Sequence, residues 1–450
     1  MYRPNLRLLA ESAKTKDDLY PQLFAFLKKN PGSSIVYVTL QKQTEQLALD
    51  LQHQGFKARA FHAGMDTAVK KQLQNEFMNN DKMIICATIA FGMGIDKANI
   101  RNVVHFNIPS SLESYSQEIG RAGRDGKTSN CMFYICAEDL HLREIFARGD
   151  LPSRGSILGL LREVFHSGTW KLPIGGELQT NHSSQEREYD IRATTLKNIY
   201  AQLELTHGLI RATTPIYTKY QFKPGPSYAY TVASDHSAAA KAIKKYCKTA
   251  RTWINIDVEM AAKGSGVPRA QLVRQLNDWN ESNVLELKTL GVEHAYKVTK
   301  ALPKTETDIG KLADAIFSTM EKREQDDLER TEQMLGLITK STCFSKSLAQ
   351  HFGDDLPDGK KECGHCTWCL THKAVVRDTP PPVRFNKSKF MAILGKVPDR
   401  DDPRLLAKIA FGISSPRITS LKLSKDPVFG SMDDHEFMVC QWELELVREF

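Results

Sequence analysis

At 450 residues the chain exceeds one ordinary domain, so two to four domains are expected. Hydrophobic content of 41% and charged content of 25% are those of a globular protein; no apolar run approaches the length of a membrane span, and the N-terminus MYRPNLRLLAESAK lacks an apolar core of signal-peptide length, which predicts an intracellular protein. The net charge of +8 fits an acidic partner such as nucleic acid without specifying one.

Residues 33 to 136 alternate apolar runs (SSIVYVTL, ARAFHAG, KMIICAT, RNVVHFNIP, NCMFYICA) with helical patterns (TEQLALDLQHQG, DTAVKKQLQNEFMNN, SLESYSQEIGRAG). That rhythm predicts an α/β lobe, a parallel sheet covered on both faces, over residues 1–150, with ligands at the carboxyl ends of the strands. After residue 150 the rhythm changes. Residues 190–232 read as a helix, TTLKNIYAQLELTHG, then a hairpin of IYTKYQF and SYAYTV around KPGP. Residues 252–300 repeat the plan with the strand WINID, the helix PRAQLVRQLNDWNESN and a second hairpin, VLELKTLGVEHAYKV. Two helices followed by a hairpin is the winged form of helix-turn-helix, so winged-helix (α+β) domains are expected at 151–235 and 236–302. A helical, cysteine-bearing subdomain follows at 303–373. A proline-rich linker (RDTPPPVRF) and a small helical tail occupy 374–450.

The stretch QEIGRAGRDGKTS, 117–129, has two readings. It ends in Gly126-Lys127-Thr128, but a phosphate loop needs a glycine five residues before the Gly-Lys pair, and Arg121 stands there. The stretch also follows a helix, where a phosphate loop follows a strand. The other Gly-Lys pairs, at 310, 359 and 395, lack a following Ser or Thr, and no apolar strand ends in a Mg²⁺-binding Asp-Glu pair. The alternative reading takes Gln117, Arg121 and Arg124 as a helix end that reaches toward a nucleotide held elsewhere. The planar guanidinium fork matches phosphate oxygens. Upstream, a buried strand ends at Thr88, Gly92 and Gly94 open a tight loop, and Asp96 follows. Glycines let backbone N–H groups approach phosphates, and an aspartate suits a ribose hydroxyl.

Of nine cysteines, Cys86, Cys131 and Cys136 lie in apolar runs as buried thiols, and Cys247 and Cys440 stand alone. Cys343, Cys363, Cys366 and Cys369 have the spacing C-x19-C-x2-C-x2-C, which suits a closed structural Zn²⁺ site. An iron–sulfur cluster is the rival, since ferredoxins also space cysteines closely. His365 reads as a bystander. In KAIKKYCKTARTW, Lys241, Lys244, Lys245, Lys248 and Arg251 make a basic stripe at helical spacing, either a phosphate track or an ordinary solvated face. Arg269 and Arg274 look outward from PRAQLVRQLNDW, either a recognition helix or a packing helix.

SIVYVTL, FHAGMD, ATIAFGMGIDKANIRNVVHF and SYSQEIGRAGRDG, in this order and spacing, closely resemble the second, RecA-like motor lobe of RecQ-family DNA helicases. The cysteine region with its His351-Phe352-Gly353 is similar to the family's zinc subdomain. The resemblance implies that Thr88 and His62 contact DNA, that Gly92, Gly94 and Asp96 lie at the nucleotide, and that Gln117, Arg121 and Arg124 face it across an interlobe cleft. Arg124 is then the arginine finger, with Arg121 beside it. It implies ATP with Mg²⁺ shared with a first lobe, structural Zn²⁺, single-stranded and branched DNA as partners, a nuclear location, and 3′–5′ unwinding in recombination and repair. Two departures stand out. The chain starts at YRPNL, which looks like the junction after the first lobe, so it is expected to be either a fragment or a shortened relative without its own ATPase. The winged-helix-like region also precedes the zinc subdomain, whereas family members place it after. A non-enzymatic zinc and winged-helix DNA-binding module is the alternative.

Overall fold

The computed structural model describes residues 2–92, 94–250, 252–377, 383–397 and 401–441. Strands β1 (Leu6–Ser12), β2 (Ser34–Tyr37), β3 (Ala58–Phe61), β4 (Ile84–Ala87), β5 (Asn102–His105) and β6 (Ser129–Ile135) form one sheet in the order β1-β6-β5-β2-β4-β3. Every pairing is parallel; helices make the crossovers except between β4 and β5, which a loop joins. Successive side chains feed opposite faces. Val36, Cys86, Val104 and Met132 join Leu19, Leu23, Leu47 and Leu51 on one side. Ile35, Ile85, Val103 and Phe133 join Phe77 and Tyr115 on the other. This is the α/β lobe expected from the apolar runs. The sequence reading had not assigned β1, whose Leu6, Leu8 and Ala10 are buried in alternation.

The second sheet departs from two hairpins in series. Its strands are β7 (Glu177–Thr180), β8 (Ile210–Ala212), β9 (Ile216–Pro224), β10 (Lys248–Ala250), β11 (Trp253–Asp257) and β12 (Leu285–Val298). The order is β10-β11-β9-β12-β7, with β8 also on β12. VLELKTLGVEHAYKV is therefore one long strand, not a hairpin. Its first part pairs with β9 and its last residues with β7 and β8. SYAYTV is not a strand either. Tyr228–Ser234 is a helix, in which Tyr228 and Val232, one turn apart, face a core with Phe222 and Trp279.

The boundary at 235/236 moves accordingly. Helices Arg154–Val164 and Ala193–Leu205 share a core with Leu178, Ile210, Tyr296 and Val298, and His182 of helix His182–Glu188 stacks on Tyr200 beside it. The second unit, residues 216–293, has its own core of Tyr220, Phe222, Ile243, Ile256, Leu272 and Leu276. It is inserted between β8 and the end of β12, so the first unit is split around it and the second runs unbroken across the expected boundary.

Helix Glu306–Thr339 joins the two sheets. At 34 residues it is about 50 Å long. Ile309, Leu312, Ala313 and Ile316 enter the core with Ile157, Leu196 and Tyr296, while Met334, Leu335 and Ile338 enter the core of the parallel lobe. The tail packs its own core from Phe390, Ile393, Leu405, Ile409, Phe411 and Phe437. Buried Arg404 ties it to Glu324, and Arg404 Nε and Lys408 Nζ both donate to Leu151 O at 3.0 Å. Among the described residues no helix is long and apolar enough to cross a membrane.

Candidate functional site

Helix Leu112–Ile119 starts on a serine cap, with Ser114 N donating to Ser111 Oγ, and buries Leu112, Tyr115, Glu118 and Ile119. Gln117 is on its exposed side. The turns that follow carry Arg121 and Arg124, and the start of the chain clamps them. Arg3 donates to Gly120 O (3.0 Å) and Gly123 O (2.6 Å); Asn5 Nδ2 donates to Gly123 O (2.8 Å) and Lys127 O (3.0 Å). Gly123 has φ +53, and a Cβ there would stand 2.6 Å from Asn5 Nδ2, so only glycine fits under the clamp. Gly123 N and Asp125 N donate to Ile100 O and Ala98 O, which zips these turns onto the loop after β4.

Two contacts connect the loops. Arg121 Nη1 donates to Gly92 O, and a Cβ on Gly92 would collide with the guanidinium. Arg124 Nη1 lies 2.6 Å from Asp96 Oδ1, both side chains open to solvent. Gly94, at φ +79, has nothing within 4 Å of a Cβ position, so its backbone is free to meet a ligand. The structure thus brings Gly92, Gly94, Asp96, Arg121 and Arg124 together where the loop after β4 meets the turns before β6, with Gln117 one turn before Arg121. Gly126-Lys127-Thr128 is an exposed turn on Asn5 and Asp125, not a cradle.

Thr88 ends β4, half-buried, and lines a cavity of about 260 Å³ with Thr39, Ser110 and His105. His105 had not been singled out from the sequence. Its Nε2 is 2.6 Å from buried Glu118 Oε2, and its ring stacks on Tyr37. A His in an apolar strand and a Glu on an apolar helix face were the available signals. Arg3 and Asn5 had none.

Other candidates have partners within the protein. His62 is buried, its Nε2 3.1 Å from Glu45. Arg269 lies 2.9 Å from Glu259 and donates to Tyr217 O, so it fastens its helix to β9. Lys241, Lys244 and Lys245 are exposed on helix Ala238–Tyr246, but the helix stops there and Lys248 lies on β10. Cys247 N still closes onto Ile243 O, and the chain then turns to pair with β11. Arg251 falls outside the described residues. Arg274 is exposed.

The four cysteines converge: all their Sγ atoms lie within 4.8 Å of one another. Cys363–Cys369, Cys343–Cys366 and Cys366–Cys369 are 3.8, 4.0 and 3.4 Å apart. Four thiolates about 2.3 Å from one tetrahedral zinc stand roughly 3.8 Å apart, so the set fits Zn²⁺. A multi-iron cluster spreads its cysteines over several metal atoms and needs wider spacing. Held together, the four thiolates would fix this segment as a structural centre with no open ligand position. Tyr2 OH lies 3.2 Å from His365 Nε2, and His365 is outside the ligand set. The centre belongs to the motor-lobe core, since Cys343 and Cys366 pack with Leu6, Leu8 and Phe344. Thr367 Oγ1 accepts from Ala10 N (2.9 Å), covering the outer edge of β1. His351 Nε2 is 2.6 Å from Glu113 Oε1. Hydrogen bonds from Ser111 and His351 hold that carboxyl down to about 2.

Comparison with known proteins matches residues 15–126 to the helicase conserved C-terminal domain and residues 306–370 to the RecQ zinc-binding domain. Over these segments the chain is similar to RecQ-family helicases. The ATP-dependent DNA helicase hus2/rqh1 of Schizosaccharomyces pombe is 41% identical over 152 residues, 33% of this chain and 11% of that protein. The ATP-dependent DNA helicase RecQ of Haemophilus influenzae is 41% identical over 155 residues, 34% of this chain and 25% of that protein. The mouse bifunctional 3′-5′ exonuclease/ATP-dependent helicase WRN is 40% identical over 192 residues, 41% of this chain and 13% of that protein. The chain thus spans a quarter or less of the length of these RecQ relatives.

Proposed function

We propose that this chain supplies the second motor lobe of an ATP-dependent 3′–5′ DNA helicase. The observation that carries the reading is the paired set of contacts where these loops meet, Arg121 on Gly92 O and Arg124 on Asp96. In this reading ATP with Mg²⁺ sits between this junction and a lobe that bears a phosphate loop. Gly94 offers backbone to the nucleotide, Asp96 takes the ribose, and Arg124 swings from Asp96 to the γ-phosphate, with Arg121 and Gln117 beside it. An arginine inserted at that phosphate is worth roughly 10³–10⁵ in rate in related phosphoryl-transfer enzymes. Thr88, at the carboxyl end of its strand, contacts the DNA backbone, and loss of the γ-phosphate opens the cleft and moves the lobe along the strand. Zn²⁺ holds the subdomain that closes β1. Action on single-stranded and branched DNA in the nucleus, in recombination and repair, belongs to the same proposal and rests on the likeness to the yeast and mouse helicases.

The test is single-stranded-DNA-stimulated ATP hydrolysis by the chain, alone and mixed with the phosphate-loop lobe of a RecQ relative. Turnover is expected only in the mixture and should fall about 10³-fold or more with Arg124→Ala. Turnover in the mixture that Arg124→Ala leaves untouched would remove the finger from the mechanism.

A further inference from the structure

The sheet of the inserted unit has two unlike faces. Tyr220, Phe222, Ile256 and Leu285 point into its core. The alternate residues point away from it. In the cross-strand register Lys248 lies opposite Asn255, Asn255 opposite Gln221, and Gln221 opposite Lys288, one row across β10, β11, β9 and β12. The neighbouring row is Asp257, Lys219 and Leu290. Lys288 Nζ sits 4.2 Å from the centre of the Trp253 ring. A hollow of about 360 Å³ at the end of these strands is lined by Lys219, Lys248, Asn255, Asp257 and Leu290 of this face, by core-facing Tyr220 and Ile256, and by Tyr246 and Met260 of the neighbouring helices. Met260 is 62% exposed and Leu290 40%, so apolar surface is open beside the lysines.

The charges are unbalanced. Among the described residues, Lys219, Lys223, Lys248 and Lys288 share the face with two acidic groups, Glu286 and Asp257. Asp257 already accepts from Glu259 N and Met260 N as a helix cap, and Glu286 stands 3.7 Å from Lys288. A merely solvated face would account for the lysines. It does not account for a tryptophan, an amide pair at the centre of the row and an apolar-rimmed hollow among them.

We propose that this face binds single-stranded nucleic acid. Three strand spacings separate Lys248 from Lys288, roughly 14 Å, so a backbone running across the row meets both. Trp253 offers a stacking platform, and such stacking is worth about 1–3 kcal/mol per base. The hollow takes an unstacked base, with Asn255 in its wall placed for the base edge. A duplex keeps its bases stacked and has nothing to insert.

The test uses the full chain without ATP, so its failure leaves the motor reading standing. Fluorescence anisotropy is measured with labelled short oligo(dT), oligo(U) and a duplex of equal length. Lys248→Glu/Lys288→Glu should weaken single-strand binding at least about tenfold and flatten its salt dependence, since each lost phosphate contact removes about 0.7 from the slope. Trp253→Ala should weaken it several-fold. Lys241→Glu/Lys244→Glu, on the helix packed against the sheet's other face, should change it less than about twofold. The tighter of the two single strands identifies DNA or RNA as the source. Should the double glutamate variant fail to fold, Lys248→Gln/Lys288→Gln keeps the apolar stems and carries the test. Wild-type affinity in the folded outer-face variants, equal losses for duplex and single strand, or equal competition by polyglutamate would each overturn the proposal.

Discussion

Arg124 and Asp96 are 28 residues apart in sequence and 2.6 Å apart in space. The pair is solvent-exposed, and exposed ion pairs contribute at most about 1 kcal/mol. Arg121 differs, because it is half-buried and bonded to a backbone carbonyl. Arg124→Ala should therefore leave the melting temperature of the parallel lobe nearly unchanged, while Arg121→Ala removes one of the two donors to Gly92 O, Ile95 N being the other, and lowers stability by about 1 kcal/mol. Differential scanning fluorimetry of both variants separates the cases. Equal losses would mean that Arg124 is also a structural residue.

The zinc centre shares its core with β1, which makes a long-range prediction. Removing the metal, or Cys366→Ser, should destabilise the motor lobe as well as the cysteine segment. Amide exchange should rise across Leu6–Ser12, because Thr367 no longer covers Ala10 N. Metal analysis should find one zinc per chain and no visible charge-transfer band. Iron with absorbance near 400 nm would reverse the assignment. Exchange confined to residues 343–371 would show that the two regions are independent.

The parallel lobe was legible because strands buried on both faces read as short continuous apolar runs, and the zinc set because its ligands are mostly local in sequence. The second sheet was not legible. β9 pairs with β12 across some sixty intervening residues, and no local pattern reports such a partner. SYAYTV satisfies both periods: its aromatics alternate as in a strand, yet Tyr228 and Val232 also lie one helical turn apart, and the core beneath chose the helix. His62 sits in a motif that suggests contact with DNA, and its partner Glu45 stands on another element. Arg3 is one arginine among many until Gly120 and Gly123 are seen beneath it.

Glu324 stands between two buried arginines. Arg148 reaches one carboxylate oxygen at 3.2 Å and Arg404 bonds the other, joining the motor-lobe helix Ala137–Gly149, the long helix and the tail. Glu324→Ala removes the common partner; Arg148 keeps Glu144 at 2.7 Å, but buried Arg404 is left without its carboxylate. Such losses cost about 3–5 kcal/mol. Limited proteolysis should cut the tail free in this variant and leave it attached in Glu332→Ala, whose carboxylate is exposed beside Arg377. Resistance of Glu324→Ala to proteolysis would show that the apolar tail core docks without the ionic link.

Lys408 is fully buried, and burial pushes its ammonium down to about 8, with Arg404 adding repulsion. The unfolded value is about 10.4. Below pH 8 both states are charged, and the native state bears the whole cost of the buried cation. Between about 8 and 10.4 the unfolded chain keeps its proton and the native chain has lost it, so stability rises with pH across that window. Above it the cost is gone. Lys408→Met removes the cation and one of the two donors to Leu151 O, while Arg404 Nε remains. The shift corresponds to roughly 3 kcal/mol and the lost hydrogen bond to about 1, so the variant should stabilise tail docking by about 2 kcal/mol at pH 7. The advantage should vanish near pH 10. Hydrogen exchange in helix Pro403–Phe411 of both proteins, at pH 7 and again at pH 9 to 10, measures it. A variant less stable than wild type at pH 7 would show that the Leu151 contact outweighs the buried charge.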